Sequence, residues 1–409
     1  MRIYADLFRA RYAARLLGGT LLGRLPNGMA ALAILLLARA DGAGYTLAGA
    51  LSALSGLATA FGQPVLGRVM DRRGQTGVLV GGALVSALGY ALFAVVGVDP
   101  VGVAVAAVLV AGFATPPLES GLRALWPSVL RPDQVHAAYA LDAAAQEILF
   151  TAGPLLVVAV AAVVSAEAAV VATGLLGVAG TLVVASSRPS RTWRPVEHVP
   201  HWAGPLRSSG LRVLLASLTL TGTALGVLSV ASVAYADARG SDMWAGVIMA
   251  AMSAGAFAGG IVHGVRPWVR PARARLPWLM VCLTVCYLPL AWAPGPAVMV
   301  VLSVVSGVFL APVIACTFSL VDELAPAGTV TEAFAWVVAA FGTGAAAGTA
   351  VAGLAGEAGG VRWAFAVAAA GAALGTLLLL AGRRALGPGM IHSTGTSTRE
   401  LSRNGTSAA

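Results

Sequence analysis

No lysine occurs anywhere in the 409 residues; all 26 basic side chains are arginine. A Walker-type phosphate loop needs a lysine to reach the phosphates, and Schiff-base cofactors need one to form the imine. A P-loop pump and a retinal or pyridoxal protein are therefore excluded. Charge of either sign is scarce: 11% of residues are charged, against about 25% in a soluble domain. With 58% hydrophobic residues and a mean hydropathy of +0.85, lipid has to solvate much of the surface.

Cysteine is equally sparse. Cys282, Cys286 and Cys316 lie in apolar runs, with no histidine or carboxylate at ligand spacing. They read as buried thiols, so neither a metal site nor a cofactor is expected. The five histidines, His136, His198, His201, His263 and His392, fall almost entirely in loops or tail. No Ser/His/Asp set converges, and no loop is long enough for a soluble domain. A membrane enzyme and a sensor are both poor readings, and no nucleic-acid partner is expected.

What the chain does contain is a series of apolar runs. A spanning helix needs about 20 apolar residues, so with short loops about 34 residues make one unit and the chain holds about twelve. The expected spans are Tyr12–Ala38, Tyr45–Val69, Gly77–Gly97, Val101–Leu122, Val135–Val164 and Ala166–Ser186 in a first half. A second half holds Leu211–Tyr235, Trp244–Gly264, Leu276–Trp292, Ala297–Val321, Thr331–Gly353 and Val361–Gly382. With the N-terminus in the cytoplasm, 22 arginines flank the inner ends and only Arg39, Arg239 and Arg362 the outer ones. The positive-inside bias then puts both termini in the cytoplasm; the expected location is a bacterial inner membrane. Trp126, Trp268 and Trp278 at inner boundaries, with Trp244, Trp292 and Trp363 at outer ones, fit an aromatic belt.

The expected fold is all-α: twelve transmembrane helices in two pseudo-symmetric six-helix bundles. Residues 1–186 form one half and 211–386 the other. The Pro-, Ser- and Arg-rich 187–210 reads as a cytoplasmic linker and 387–409 as a disordered cytoplasmic tail. The halves repeat. Gly112 and Pro117 match Gly307 and Pro312 at an offset of 195 residues, as Tyr139-Ala140 matches Phe334-Ala335. Parallel duplication is a known transporter architecture, with substrate bound near the midplane between repeats.

After the second span comes Gly67-Arg68-Val69-Met70-Asp71-Arg72-Arg73-Gly74-Gln75. In this position the stretch resembles the G-x-x-x-D-R-x-G-[RK] signature of the major facilitator superfamily, with Gln75 where a basic residue is usual. The resemblance implies a gradient-driven transporter. It also implies a cytoplasmic latch in which Gly67, Asp71, Arg72 and Gly74 engage the start of span 11. Asp71 suits a helix N-terminus, which favours an anion; Thr329 and Glu332 there have capping-box spacing. The matching loop of the second half, Gly259–Arg266, has no aspartate, so a second latch is expected to be degenerate or absent. Gly153-Pro154 resembles part of an exporter motif, with Val157-Val158 replacing its glycines.

Intramembrane charges are costly and usually functional. Arg24 and Glu147 fall near the midplane of spans 1 and 5, which makes Glu147 the proton-coupling candidate with Arg24 as partner. A permanent structural ion pair is the other reading. Asp142 is a second candidate, about 140° around the helix from Glu147. Glu119 and Arg123, four apart, are expected to pair at the inner gate or to reach the latch. Asp322, Glu323 and Glu332 read as solvated caps. Arg24-Leu25-Pro26-Asn27-Gly28 is expected to interrupt span 1 and, with parts of spans 4, 7 and 10, to line a mostly apolar cavity with Arg24 and Asn27 as polar contacts. The expected function is proton-coupled export of lipophilic or amphiphilic small molecules by a monomer. Efflux of a sugar or other polar metabolite is the alternative.

Overall fold

The computed structural model describes residues 2–194, 201–241 and 243–387, with the backbone alone at residue 2 and over 353–359. The expected tail beyond 387 and part of the linker lie outside the described residues. Among those described, every regular element is helical. The spanning helices are α1 (Ala13–Ala40), α2 (Tyr45–Arg73), α3 (Gln75–Val96), α4 (Val101–Val129), α5 (Pro132–Val163) and α6 (Ala166–Ala185). Then follow α7 (Ser209–Asp237), α8 (Met243–Val265), α9 (Ala272–Trp292), α10 (Pro296–Leu324), α11 (Val330–Ala352) and α12 (Gly360–Ala381). A short helix, Arg2–Arg9, precedes them, and another, Arg188–Thr192, follows α6.

Eleven of these are long and apolar enough to cross a membrane by hydropathy alone. The twelfth, α2, has 29 residues, which is ample length. Its hydropathy is lowered by Ser52, Ser55, Thr59 and Gln63, which turn inward to line a cavity. A span that borders water need not be apolar on every face.

Local signals set the helix ends. Pro132 opens α5, and Gln134 Oε1 accepts the Arg131 N–H at 3.2 Å. Ser165 and Ser208 cap α6 and α7 through the N–H groups of Ala168 and Leu211. Gly74, at φ 94°, ends α2 and begins α3 with no connecting loop. In place of the expected loop between α11 and α12 the backbone stays helical to residue 359 and leaves helical geometry at Gly360 (φ 72°, ψ −166°), a sharp turn that separates the two helices. Only a residue without Cβ adopts that conformation readily.

The duplication is visible in how backbones meet. α4 is broken into Val101–Phe113 and Leu118–Val129, and α10 into Pro296–Gly307 and Leu310–Leu324. In the first half a Cβ at Gly62 would overlap the Phe113 carbonyl, and one at Gly112 the Ser55 carbonyl. In the second, Gly259 stands against the Val308 carbonyl and Gly307 against that of Met252 in the same way. Each half therefore presses its second helix onto its fourth through a reciprocal glycine pair. Across the halves, α2 packs on α11, and α5 on α8 and α10.

Gly112→Ala and Gly307→Ala are each expected to destabilise the purified protein by about 1–3 kcal/mol through overpacking. Gly49→Ala, with nothing within 4 Å of its Cβ position, should leave the melting temperature unchanged or raised. Equal melting temperatures for all three would refute the close-packed pair.

Candidate functional site

Three helices of the first half bring four ionisable side chains together. Arg24 on α1 donates from Nη1 to Asp142 Oδ1 of α5 at 2.9 Å, and its Nη2 contacts Glu119 Oε2 of α4. Arg123 on α4 donates from Nε to Asp142 Oδ2 at 2.8 Å and from Nη2 to Glu119 Oε2 at 3.2 Å. All four are at most 4% exposed. Two cations and two anions alternate around a square, so the formal charge cancels. Removing an ion from water costs several kcal/mol, and only complete pairing offsets that.

This arrangement corrects the expected pairing. Arg24 meets Asp142 and Glu119, not Glu147. Depth along a helix is not orientation around it: Asp142 faces α1 and α4, while Glu147 points to α8, where Ser253 Oγ donates to its Oε2 at 2.8 Å. Among the described residues no cation pairs with Glu147. Glu119 and Arg123 do form their i,i+4 pair, but in the square rather than in the latch.

Above the square lies a cavity of about 570 Å³ whose floor includes Arg24, Glu119 and Arg123. It runs away from the arginine-rich end, past Ala30 and Ala31 of α1, Ser52 of α2 and Ala346 of α11. Its walls differ. The first half is mixed, setting Asn27, Ser52, Gln63, Thr115 and Gln146 among apolar residues such as Leu57, Leu149 and Phe150; the second contributes Leu218, Ile314, Phe318, Val337, Val338 and Phe341, with Thr317 and Thr343 as its hydroxyls. The break in α4 explains part of the polar wall. The helix lapses after Phe113 and restarts at Leu118, leaving the Thr115 carbonyl without a helical partner, and Gln63 Nε2 donates to it at 3.1 Å. Arg123 also reaches across the halves, its guanidinium carbon 3.5 Å from the Phe318 ring centroid.

Arg24 and Asn27 line this cavity, yet α1 runs through Pro26 without the expected interruption. A proline within a helix removes one hydrogen bond and does not always break the chain's course. Here close packing holds it: a Cβ at Gly28 would stand 2.7 Å from the Leu149 carbonyl oxygen, and one at Gly153 2.8 Å from the Gly28 carbonyl carbon.

At the arginine-rich end the two halves are latched. Asp71 Oδ1 and Oδ2 accept the backbone N–H groups of Thr331 and Glu332 at 3.1 and 2.7 Å. The carboxylate of α2 thus caps α11 at the positive end of its dipole. Gly67 makes the approach possible, since its Cβ would lie 3.1 Å from both Ala335 Cβ and Glu332 Cα. The Thr329–Glu332 capping box does not form. Thr329 Oγ1 donates instead to the Pro326 carbonyl at 2.7 Å, and Glu332 accepts a bidentate pair from Arg68 at 2.9 and 2.6 Å. Glu332 is therefore buried, not a solvated cap. Arg72 is exposed at the rim. Gln75, in the position usually basic, is buried and donates to the Gly121 carbonyl at 2.9 Å, tying α3 to α4.

The related contact of the second half has no carboxylate. Gly264 approaches Ala140 as Gly67 approaches Ala335, but beside it His136 and His263 lie edge to face at 4.9 Å, and Trp268 Nε1 donates to the His263 carbonyl at 2.9 Å.

Asp142→Asn should leave two buried guanidiniums sharing one carboxylate, at a cost of about 3–5 kcal/mol, read as a large fall in melting temperature. A fall no larger than that of an exposed control such as Asp133→Asn would contradict the square. Asp71→Asn weakens the cap by about 0.5–2 kcal/mol. In a chain with its three native cysteines replaced, that change should speed maleimide labelling of a cysteine at position 335; an unchanged rate would mean the latch does not hold this end shut.

The family model of the Major Facilitator Superfamily matches residues 16–331. No curated protein matches the chain in sequence. Solved structures share its fold. A bacterial homologue of the iron transporter ferroportin, in an outward-facing state, aligns with a TM-score of 0.73 and 14% identity over 90% of this chain and 98% of its own. The human organic anion transporter MFSD10 (TETRAN) gives 0.70 and 17% over 89% and 99%, and the E. coli fucose:proton symporter FucP gives 0.68 and 15% over 90% and 98%. This multi-pass membrane protein belongs to the Major Facilitator Superfamily of secondary transporters.

Proposed function

We propose that the chain exports lipophilic or amphiphilic small molecules across a bacterial inner membrane by proton-coupled alternating access, as a monomer with both termini in the cytoplasm. Residues 1–186 and 211–386 act as the two rocking halves, joined by 187–210. The observation that carries the substrate class is the two-faced cavity. Its first-half wall sets amides, hydroxyls and the rim of the charge square among apolar side chains; its second-half wall is almost wholly apolar. A molecule with one polar end and an apolar body fills both faces. A sugar would leave the apolar wall unused and find only Thr317 and Thr343 across from it.

The arginine-rich end is latched and the cavity extends toward the other, which corresponds to an outward-open state. Coupling falls to Glu147. It sits between α5 and α8, one helix from each half, with a serine as its side-chain partner. A carboxylate without a counter-ion between packed helices is stable neutral, and is stable charged only when water reaches it. Opening and closing the interface therefore moves a proton on and off. The square is poorly suited to that task, because protonating either carboxylate leaves an arginine unmatched. The fold itself accommodates proton coupling, as the fucose:proton symporter illustrates.

In inside-out vesicles with an imposed proton gradient, lipophilic cations or other amphiphiles should dissipate the gradient recorded by a pH dye. The Glu147→Gln protein, inserted to the same level, should not respond. Dissipation by Glu147→Gln at the wild-type rate and pH profile would remove Glu147 from the coupling step. A response to sugars alone would overturn the substrate class.

A further inference from the structure

A second cavity, of about 460 Å³, lies at the arginine-rich end, outside the transport path. Three separate stretches of chain converge on it: Arg11 and Tyr12 before α1, Ser128 at the end of α4, and Arg188, Trp193 and Arg194 at and after the short helix that follows α6. Among the described residues no carboxylate lines it, and none of the three arginines forms an ion pair. All three arginines are exposed, so water screens part of their mutual repulsion, and an anion seated among them relieves the rest.

Two further observations bear on what fills it. Tyr12 is held at φ 77°, a conformation strained for a residue with a Cβ, and strain of this kind collects at ligand sites. Its ring lies under Arg11, whose guanidinium carbon is 5.1 Å from the ring centroid. Arg194 is held too: its Nη1 donates to the carbonyls of Arg191 and Trp193 at 3.1 and 3.3 Å. The site stands at the ends of three spanning helices, with tyrosine and tryptophan at the level where aromatic side chains meet lipid headgroups. The hollow is a groove open to solvent, wide enough to admit a headgroup phosphate that stays attached to its lipid.

We propose that this cavity binds the phosphate of an anionic phospholipid headgroup. The guanidiniums supply charge-assisted, fork-shaped donors to the phosphate oxygens, and the aromatic rings flank the glycerol. The bound lipid would tie the start of α1 to the linker, two segments joined otherwise by few contacts. The inference does not rest on the transport reading.

Native mass spectrometry of the full chain in mild detergent tests it, with phosphatidylglycerol and phosphatidylcholine offered in equal amounts. Wild type should retain phosphatidylglycerol preferentially. Arg11→Gln with Arg188→Gln should lower that preference by about fivefold for each arginine. Arg383→Gln with Arg384→Gln removes the same charge from exposed positions outside the cavity and should leave the preference intact. Equal losses in both double variants would make the effect one of bulk charge and overturn the site. Displacement of the lipid by millimolar inorganic phosphate would assign the cavity to a soluble phosphate-bearing ligand and overturn the lipid.

Discussion

An ion in lipid must find its counter-ion inside the protein, and the first half is built around meeting that demand. Arg24, Glu119, Arg123 and Asp142 cancel one another only if α1, α4 and α5 come within the reach of their side chains. The small residues around Arg24 serve that end. Gly23 presses on Gly180 of α6 and Gly28 on Gly153 of α5, so α1 is drawn in on both sides of the arginine. The double proline at 116–117 restarts α4 just before Glu119, which sets the register that places Glu119 and Arg123 toward α1. Packing in lipid has no hydrophobic drive between helices. Here the close contacts and the charge pairing supply the specificity together.

Much of this was legible in the sequence, and the limits have a physical pattern. Helix count follows from a property carried along the chain, apolar length, whereas the contact of Asp71 with the start of α11 is what the resemblance of Gly67–Gln75 to the superfamily signature implies. The partner of Arg24 follows from neither. Five residues separate Asp142 from Glu147, and their angular separation rightly said that one cavity centre cannot take both. It could not say which of them turned toward α1, because that depends on how α5 is rotated by its neighbours. Gln63, Ser253 and Phe318 were missed for a related reason, since each acts through a helix distant in sequence. For Gln63 a signal existed. Ser52, Ser55, Thr59 and Gln63 recur at helical spacing on an otherwise apolar span, which marks a face turned from lipid.

The two latch-like contacts show how far duplication constrains chemistry. The glycine pairs are kept in both halves because backbone proximity is a geometric requirement of the fold, indifferent to side-chain charge. The carboxylate at Asp71 is not repeated. In its place His263 and Trp268 of the second half pack their rings together and against His136 of the first, filling space, with Trp268 Nε1 donating one hydrogen bond to the His263 carbonyl. One cross-half contact is thus electrostatic and the other is packing.

Rocking of the proposed kind requires bodies that stay whole while the seam between them opens, and the distribution of interactions meets that requirement. The square lies wholly within the first half, so no motion of the second half breaks a buried ion pair, a loss of about 3–5 kcal/mol. What crosses the seam is weaker. Arg68 is a third exposed where it meets Glu332, so solvent screens that pair toward about 1 kcal/mol or less. Asp71 contributes a helix cap of about 1 kcal/mol, and Arg123 over Phe318 an aromatic contact of about 0.5–2 kcal/mol. The last of these joins the cavity floor to the seam. Anything bound between Arg123 and Phe318 exchanges a contact across the halves for contacts with itself, and so acts on the seam without disturbing the square beneath it.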